Sequence, residues 1–122
     1  MILALALLIA APADLVAGTW EGTSLCQVKP SPCHDEHVIY RVKPSAPRRY
    51  RIDAYKLVAG QEEFMGAIDV TFDPAAGQLD GAVGKSGRPM GQLRLMLHGA
   101  RLIGRMTQPD GTLYRLIDVT KR

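Results

Sequence analysis

Aromatic residues are few in this chain: one tryptophan, four tyrosines and two phenylalanines among 122 residues. A surface that binds single strands by stacking bases on rings needs more than that. The net charge of +3 is equally far from the basic field of a dedicated nucleic-acid binder. Arg48, Arg49 and Arg51 flank Tyr50, but acidic residues are scattered among the arginines, and a solvated outer face is the simpler reading. No nucleic-acid partner is expected. Two cysteines are too few for a disulfide-rich mini-protein, and no apolar run is long enough to span a bilayer. No window after Asp14 carries a capped helical stripe. With 47% apolar and 22% charged residues, the composition excludes a disordered tail protein and leaves one small domain, expected to be a monomer.

The longest apolar run is Met1 to Ala11, followed by Pro12, Ala13 and Asp14. It is too short for a membrane span and fits the hydrophobic region of a signal peptide, with Ala11-Pro12-Ala13 as a small-x-small cleavage site. Residues 1–13 are therefore expected to be a leader and 14–122 a single exported domain, periplasmic or extracellular. No Lys or Arg precedes the run, so either the true start lies upstream or the export signal is weak. No cysteine stands at the cleavage point, so no lipid anchor is expected there.

Turn residues then recur at short intervals, among them Lys29-Pro30-Ser31-Pro32, Asp73-Pro74-Ala75-Ala76-Gly77 and Gln108-Pro109-Asp110-Gly111. The segments between them alternate. Phe64, Gly66, Ile68, Val70 and Phe72 share one face; so do Leu93, Leu95 and Leu97, and so do Leu113, Arg115, Ile117 and Val119. A period of two is what half-buried antiparallel strands require. Eight strands are expected near 17–28, 36–43, 48–58, 62–73, 78–83, 91–98, 100–107 and 112–121. Short connections imply an up-and-down meander, and closing it removes the exposed edges of an open sheet. The expected fold is all-β, an eight-stranded antiparallel up-and-down barrel. An eight-stranded interior is only just wide enough for side chains, and the leucines suffice to fill it.

The first strand opens Gly18-Thr19-Trp20-Glu21-Gly22-Thr23-Ser24. This resembles the Gly-x-Trp opening of lipocalin-like (calycin) barrels, in which the tryptophan plugs the barrel floor under a basic residue of the last strand. The resemblance implies a floor of Gly18 and Trp20 with Lys121 or Arg122 as the cation, and Arg122 is taken as that residue. Trp20-x-Gly22-x-Ser24-x-Cys26, Pro32-Cys33-x-Asp35-Glu36-x-Val38-x-Tyr40 and Asp110-Gly111-Thr112-Leu113-Tyr114-Arg115 are similar to a group of small exported bacterial proteins. That likeness brings a fold and a location rather than an activity.

The densest chemistry lies between Cys26 and His37. Three readings compete for it. A disulfide between Cys26 and Cys33 would pin the first strand to the second, as an exported chain with two cysteines around a proline-rich turn suggests. A soft metal site could use Cys26, Cys33, His34 and His37, or, once the thiols are oxidised, His34, His37, Asp35 and Glu36, although Cys-x6-Cys-His-x2-His matches no familiar zinc spacing. Asp35 and Glu36 could also act as an acid/base pair, but only Ser24 and the histidines lie near as partners, and no oxyanion hole is evident.

Arg115 falls on an apolar inner face and needs a partner, which Glu36 or Glu21 could supply. It sits at the barrel mouth, or is flipped to the other face by a bulge, or recognises an anion in a cavity with Tyr40 and Glu36 as neighbours. No cofactor is expected. The leading functional expectation is an exported, non-enzymatic barrel that binds a small molecule or a protein partner. The alternative is a protein inhibitor: size, export signal, single disulfide and barrel are similar to the periplasmic metalloprotease inhibitors of bacteria. Those act through an N-terminal trunk, whose counterpart here would be the short Asp14-Leu15-Val16-Ala17.

Overall fold

Alternation decides which side chains face inward, and the last strand is the clearest case. From Leu113 to Lys121 every odd-numbered residue points to the interior: Arg115, Ile117 and Val119 are buried, while Leu116 and Thr120 are exposed. The computed structural model describes residues 14–85 and 87–122. The leader expected at 1–13 lies outside the described residues. Eight strands follow in order: β1 (Gly18–Cys26), β2 (Glu36–Ala46), β3 (Arg49–Val58), β4 (Gln61–Asp73), β5 (Gln78–Lys85), β6 (Arg88–His98), β7 (Arg101–Thr107) and β8 (Leu113–Lys121). Each pairs antiparallel with its successor, and β8 returns to β1, closing the barrel. Among the described residues there is no helix.

The strands correspond to those expected, with two extensions through proline. β2 runs past Pro44 to Ala46, and β6 starts at Arg88 and includes Pro89. A register shift adjoins each proline, between Pro44 and Ala46 and between Val83 and Gly84, and such irregularities absorb a residue that cannot donate to the ladder. The turns behave as their composition demands. Gly111 has φ 87° and donates to the Gln108 carbonyl, while Asp110 accepts from the Thr112 amide.

One face assignment is corrected. Phe64 does not share the inner face of Ile68, Val70 and Phe72; it is 58% exposed. Ala54 pairs with Gly66 but Tyr55 pairs with Phe64, so Met65 is an extra residue in the β3–β4 ladder. A bulge of this kind flips every residue beyond it to the other face. Phe64 therefore meets Tyr55 edge-on outside the barrel, with the Arg41 guanidinium over the Tyr55 ring.

A single apolar cluster fills the interior. Trp20, Ile52, Leu79, Leu95, Leu102 and Val119 are fully buried in it, beside Tyr40 and Tyr50. At its lower end Trp20 donates from Nε1 to the Val16 carbonyl, and Val16 itself is buried in the cluster. The cation above the indole is Lys121, its Nζ 5.5 Å from the ring. Arg122 does not take that place. Its Nε donates to Glu21 Oε1 at 2.6 Å, because the alternation that turns Lys121 inward turns residue 122 outward. Gly18 makes room for the lysine: a Cβ at this position would sit 2.8 Å from Lys121 Cε, and its φ of 141° suits glycine.

Asp14 ties the N-terminal segment to this floor. Its carboxylate accepts from the amides of Val16 and Ala17 and from the Tyr50 hydroxyl. What desolvation there is works to raise the Asp14 pKa, yet the two amides, the hydroxyl and the Lys121 charge together hold it below the ordinary value of 3.8. A carboxyl depressed in the folded state stabilises that state above its unfolded pKa, and the benefit is lost as pH falls through the folded value. Asp14→Asn is expected to flatten the acid limb of a stability–pH curve below about pH 4. Parallel acid limbs in urea titrations of the two proteins would show that Asp14 contributes nothing.

Candidate functional site

The upper end of the barrel is closed differently, by charge and by a covalent bond. β1 lies between β2 and β8, and the two registers set Ser24 opposite Glu36 on one side and Cys26 opposite Arg115 on the other. All four residues are on inward-facing positions. Cys26 and Cys33 form a disulfide across the β1–β2 connection, with Cα atoms 5.9 Å apart. The Cys26 amide donates to Asp35 Oδ1 at 2.9 Å, so Asp35 fastens the returning chain beside that bond. Eight residues close the loop, which removes unfolded-chain entropy worth roughly 2.5 kcal/mol. Reduction, or Cys26→Ser with Cys33→Ser, is expected to lower the melting temperature by roughly 10–20 °C. Calorimetry with and without reductant checks this, and an unchanged transition would mean that the loop is held by its other contacts.

Arg115 projects from β8 into this end and is 9% exposed. Its Nη1 lies 3.0 Å from Glu36 Oε1 and donates to the His34 carbonyl at 3.0 Å and to the Ser24 carbonyl at 3.2 Å. Lys56 approaches the same carboxylate from β3, its Nζ 3.9 Å from Glu36 Oε2. Two cations thus converge on one half-buried carboxylate. Tyr40, two positions further along the inner face of β2 than Val38, lies beneath them. Burial first, and then the charge of Glu36, push its phenol well above the usual tyrosine range, with Arg115 opposing, so the hydroxyl stays protonated.

A cleft of about 430 Å³ opens above this group. The β1–β2 connection and the start of β2 supply one wall (Ser31 to His37), the end of β3 another (Lys56, Leu57, Val58), and Tyr114 and Arg115 the floor. The volume is at the small end of the range for ligand sites. The structure therefore brings Arg115, Glu36, Tyr40, His34 and the disulfide together at the mouth. It leaves Gly18, Trp20 and Arg122 at or outside the opposite end.

The residues of the metal reading are held apart or engaged elsewhere. Cys26 and Cys33 are bonded to each other, and Asp35 is held by the Cys26 amide. His37 points outward, its Nε2 2.5 Å from Glu21 Oε2. That contact and Arg122 hold the Glu21 carboxyl below its ordinary value. Among the described residues no three His, Cys, Asp or Glu side chains are placed to share an ion. His34 and His37 part because strand alternation begins between them, at Glu36. Sequence reasoning missed Lys56, Leu57 and Val58, which reach the site through the β2–β3 register of Val38 with Lys56. Of the arginines near Tyr50, Arg51 pairs with Asp53 on the outer face, and Tyr50 itself is buried.

Compared with known proteins, the chain matches no family profile and no curated sequence. Among the described residues no helix is long and apolar enough to cross a membrane.

Proposed function

We propose that this is an exported, non-enzymatic binding protein of lipocalin-like build that works from the cleft at its mouth rather than from its interior. The observation that carries the reading is a contrast between the two spaces. The interior positions hold one packed apolar cluster, whereas the mouth holds a concavity lined by Arg115, Lys56 and Glu36 beside the apolar Leu57 and Val58. Ligand sites combine apolar walls with a few placed polar groups, and this is the mixture at the mouth. Export is supported by the Cys26–Cys33 bond, since disulfides persist in oxidising compartments. A binding role rather than catalysis is supported by Ser24, whose Oγ accepts from Arg115 instead of facing a general base.

The inhibitor reading draws no support from the segment it needs. Asp14–Ala17 is folded onto the barrel floor, with Val16 in the core and Asp14 bonded to Tyr50, so it is not a free trunk. Amide spectra of the isotope-labelled protein, recorded with mixed pools of small metabolites and short peptides, test the proposal. Shifts are expected at Cys33–His37, Lys56–Val58 and Tyr114–Arg115. Shifts confined to Leu79, Leu93 and Leu95 would place binding inside the barrel, and a spectrum indifferent to every pool would remove the reading.

A further inference from the structure

Arg115 is nine-tenths buried, yet one nitrogen makes all its polar contacts with the protein. Nη1 serves Glu36, both oxygens of Ser24 and the His34 carbonyl. Among the described residues, every side-chain nitrogen or oxygen that is cut off from solvent has a hydrogen-bond partner. Nε and Nη2 make no such bond, so solvent reaches them, and the space beside Arg115 is the cleft. A guanidinium offers Nε and Nη2 as a parallel pair of donors whose spacing matches the two oxygens of a carboxylate. Nη1, already engaged, fixes the plane of that fork, and the Tyr114 ring 5.1 Å from the guanidinium carbon supports it.

The geometry points to a carboxylate site: the cleft binds a carboxylate carried next to a small apolar group, its oxygens accepting from Nε and Nη2 of Arg115. This rests on the mouth-cleft reading above and gives it a ligand class. Shape selects the carboxylate. The fork is planar and matches two coplanar oxygens, and Glu36 and Asp35 offset Arg115 and Lys56, so the cleft has no net charge that would favour a doubly charged phosphate. The apolar neighbour rests on Pro32, Leu57 and Val58; Val58 is 42% exposed at the rim. The packed interior stops the ligand from extending downward. A short free acid and the last residue of a polypeptide both present this chemistry.

Three probes separate them in amide and guanidinium NMR titrations: 4-methylpentanoate, the tripeptide Ala-Ala-Leu with a free C-terminus, and the same tripeptide amidated. The free-acid tripeptide is expected to shift Arg115 Nε–H together with Leu57 and Val58, and amidation to weaken it at least tenfold. Equal binding of 4-methylpentanoate identifies a small acid as the source; binding of the tripeptide alone identifies a chain terminus. Arg115→Lys keeps the charge without the fork and is expected to cost the acids a similar factor. Should that variant not fold, the comparison of acid with amide on the unchanged protein decides. If neither acid moves Arg115, or the amide binds as well as the acid, the carboxylate inference is wrong. Pools that still shift Cys33–His37 would then leave the mouth cleft standing as a binding site, and pools that do not would remove both.

Discussion

Trp20→Ala is expected to destabilise the protein by about 3–5 kcal/mol, the range for truncating a fully buried large aromatic. Burial, a hydrogen bond and a cation converge on this one side chain. The indole is 0% exposed, its N–H donates to Val16, and Lys121 lies over its face. Truncation would leave a hole where the floor stood, expose Val16 and strand the Val16 carbonyl. Small domains are stable by only about 5–15 kcal/mol in total, so the variant should melt at least 15 °C earlier or fail to accumulate. Lys121→Ala is the control: an ammonium over a ring, partly exposed, contributes about 0.5–1 kcal/mol. Urea denaturation of the two variants would separate floor from lid. A Trp20→Ala loss below about 1 kcal/mol would mean that the N-terminal segment, not the indole, seals the barrel.

At the other end, Glu36→Ala is expected to cost about 3 kcal/mol, because it leaves Arg115 buried beside two carbonyls with no counter-charge. Arg115→Leu should cost a similar amount, by stranding Glu36 with Lys56 as its remaining partner at 3.9 Å. The informative variant is the double one. Removing both charges removes the desolvation burden along with the attraction, so Glu36→Leu with Arg115→Leu should be much milder than the sum. The side chains are 10% and 16% exposed, which puts the single-variant figure at the lower end of the range for buried pairs. Strict additivity in the cycle would show that the two side chains do not interact and would dismantle the site as described.

Much of the barrel was legible in the sequence because a strand states its orientation locally. The odd residues of β8 and the leucines of β6 face inward as their alternation requires. The same rule, carried two residues further, points to Lys121 rather than Arg122 above Trp20; the family likeness pointed only to a basic residue near the end. Phe64 escaped the rule because Met65 is an extra residue only relative to β3, and pairing partners are not written in a strand's own sequence. The mouth was half legible. Arg115 on an apolar face announced a need for a partner, and Glu36 was one of two that could supply it. Leu57 and Val58 carry no such signal, since a rim residue reads like any other strand end until the register brings it beside Arg115. The segment Asp14–Ala17 was legible only as an extension, whereas Asp14 and Tyr50, far apart in the chain, fix it to the floor.

The return of β8 to β1 also sets an order of events. The strand that carries Trp20 is among the first of the domain to be synthesised, and its second neighbour is the last: Trp20 faces Lys121, and the Arg122 amide donates to the Thr19 carbonyl. Until β8 has emerged, β1 and β7 are two open edges of an unfinished sheet, each able to pair with the wrong chain. Local hairpins can form early, but closure must bridge nearly the whole domain, which is the slow kind of contact. A chain stopped just short of β8 would keep most of its leucines and all of its turns, and would still lack the lysine that covers the floor and the arginine that organises the mouth. Both ends of the barrel are completed by the same closing strand, so the arrival of β8 determines whether the domain has a floor and a site at all.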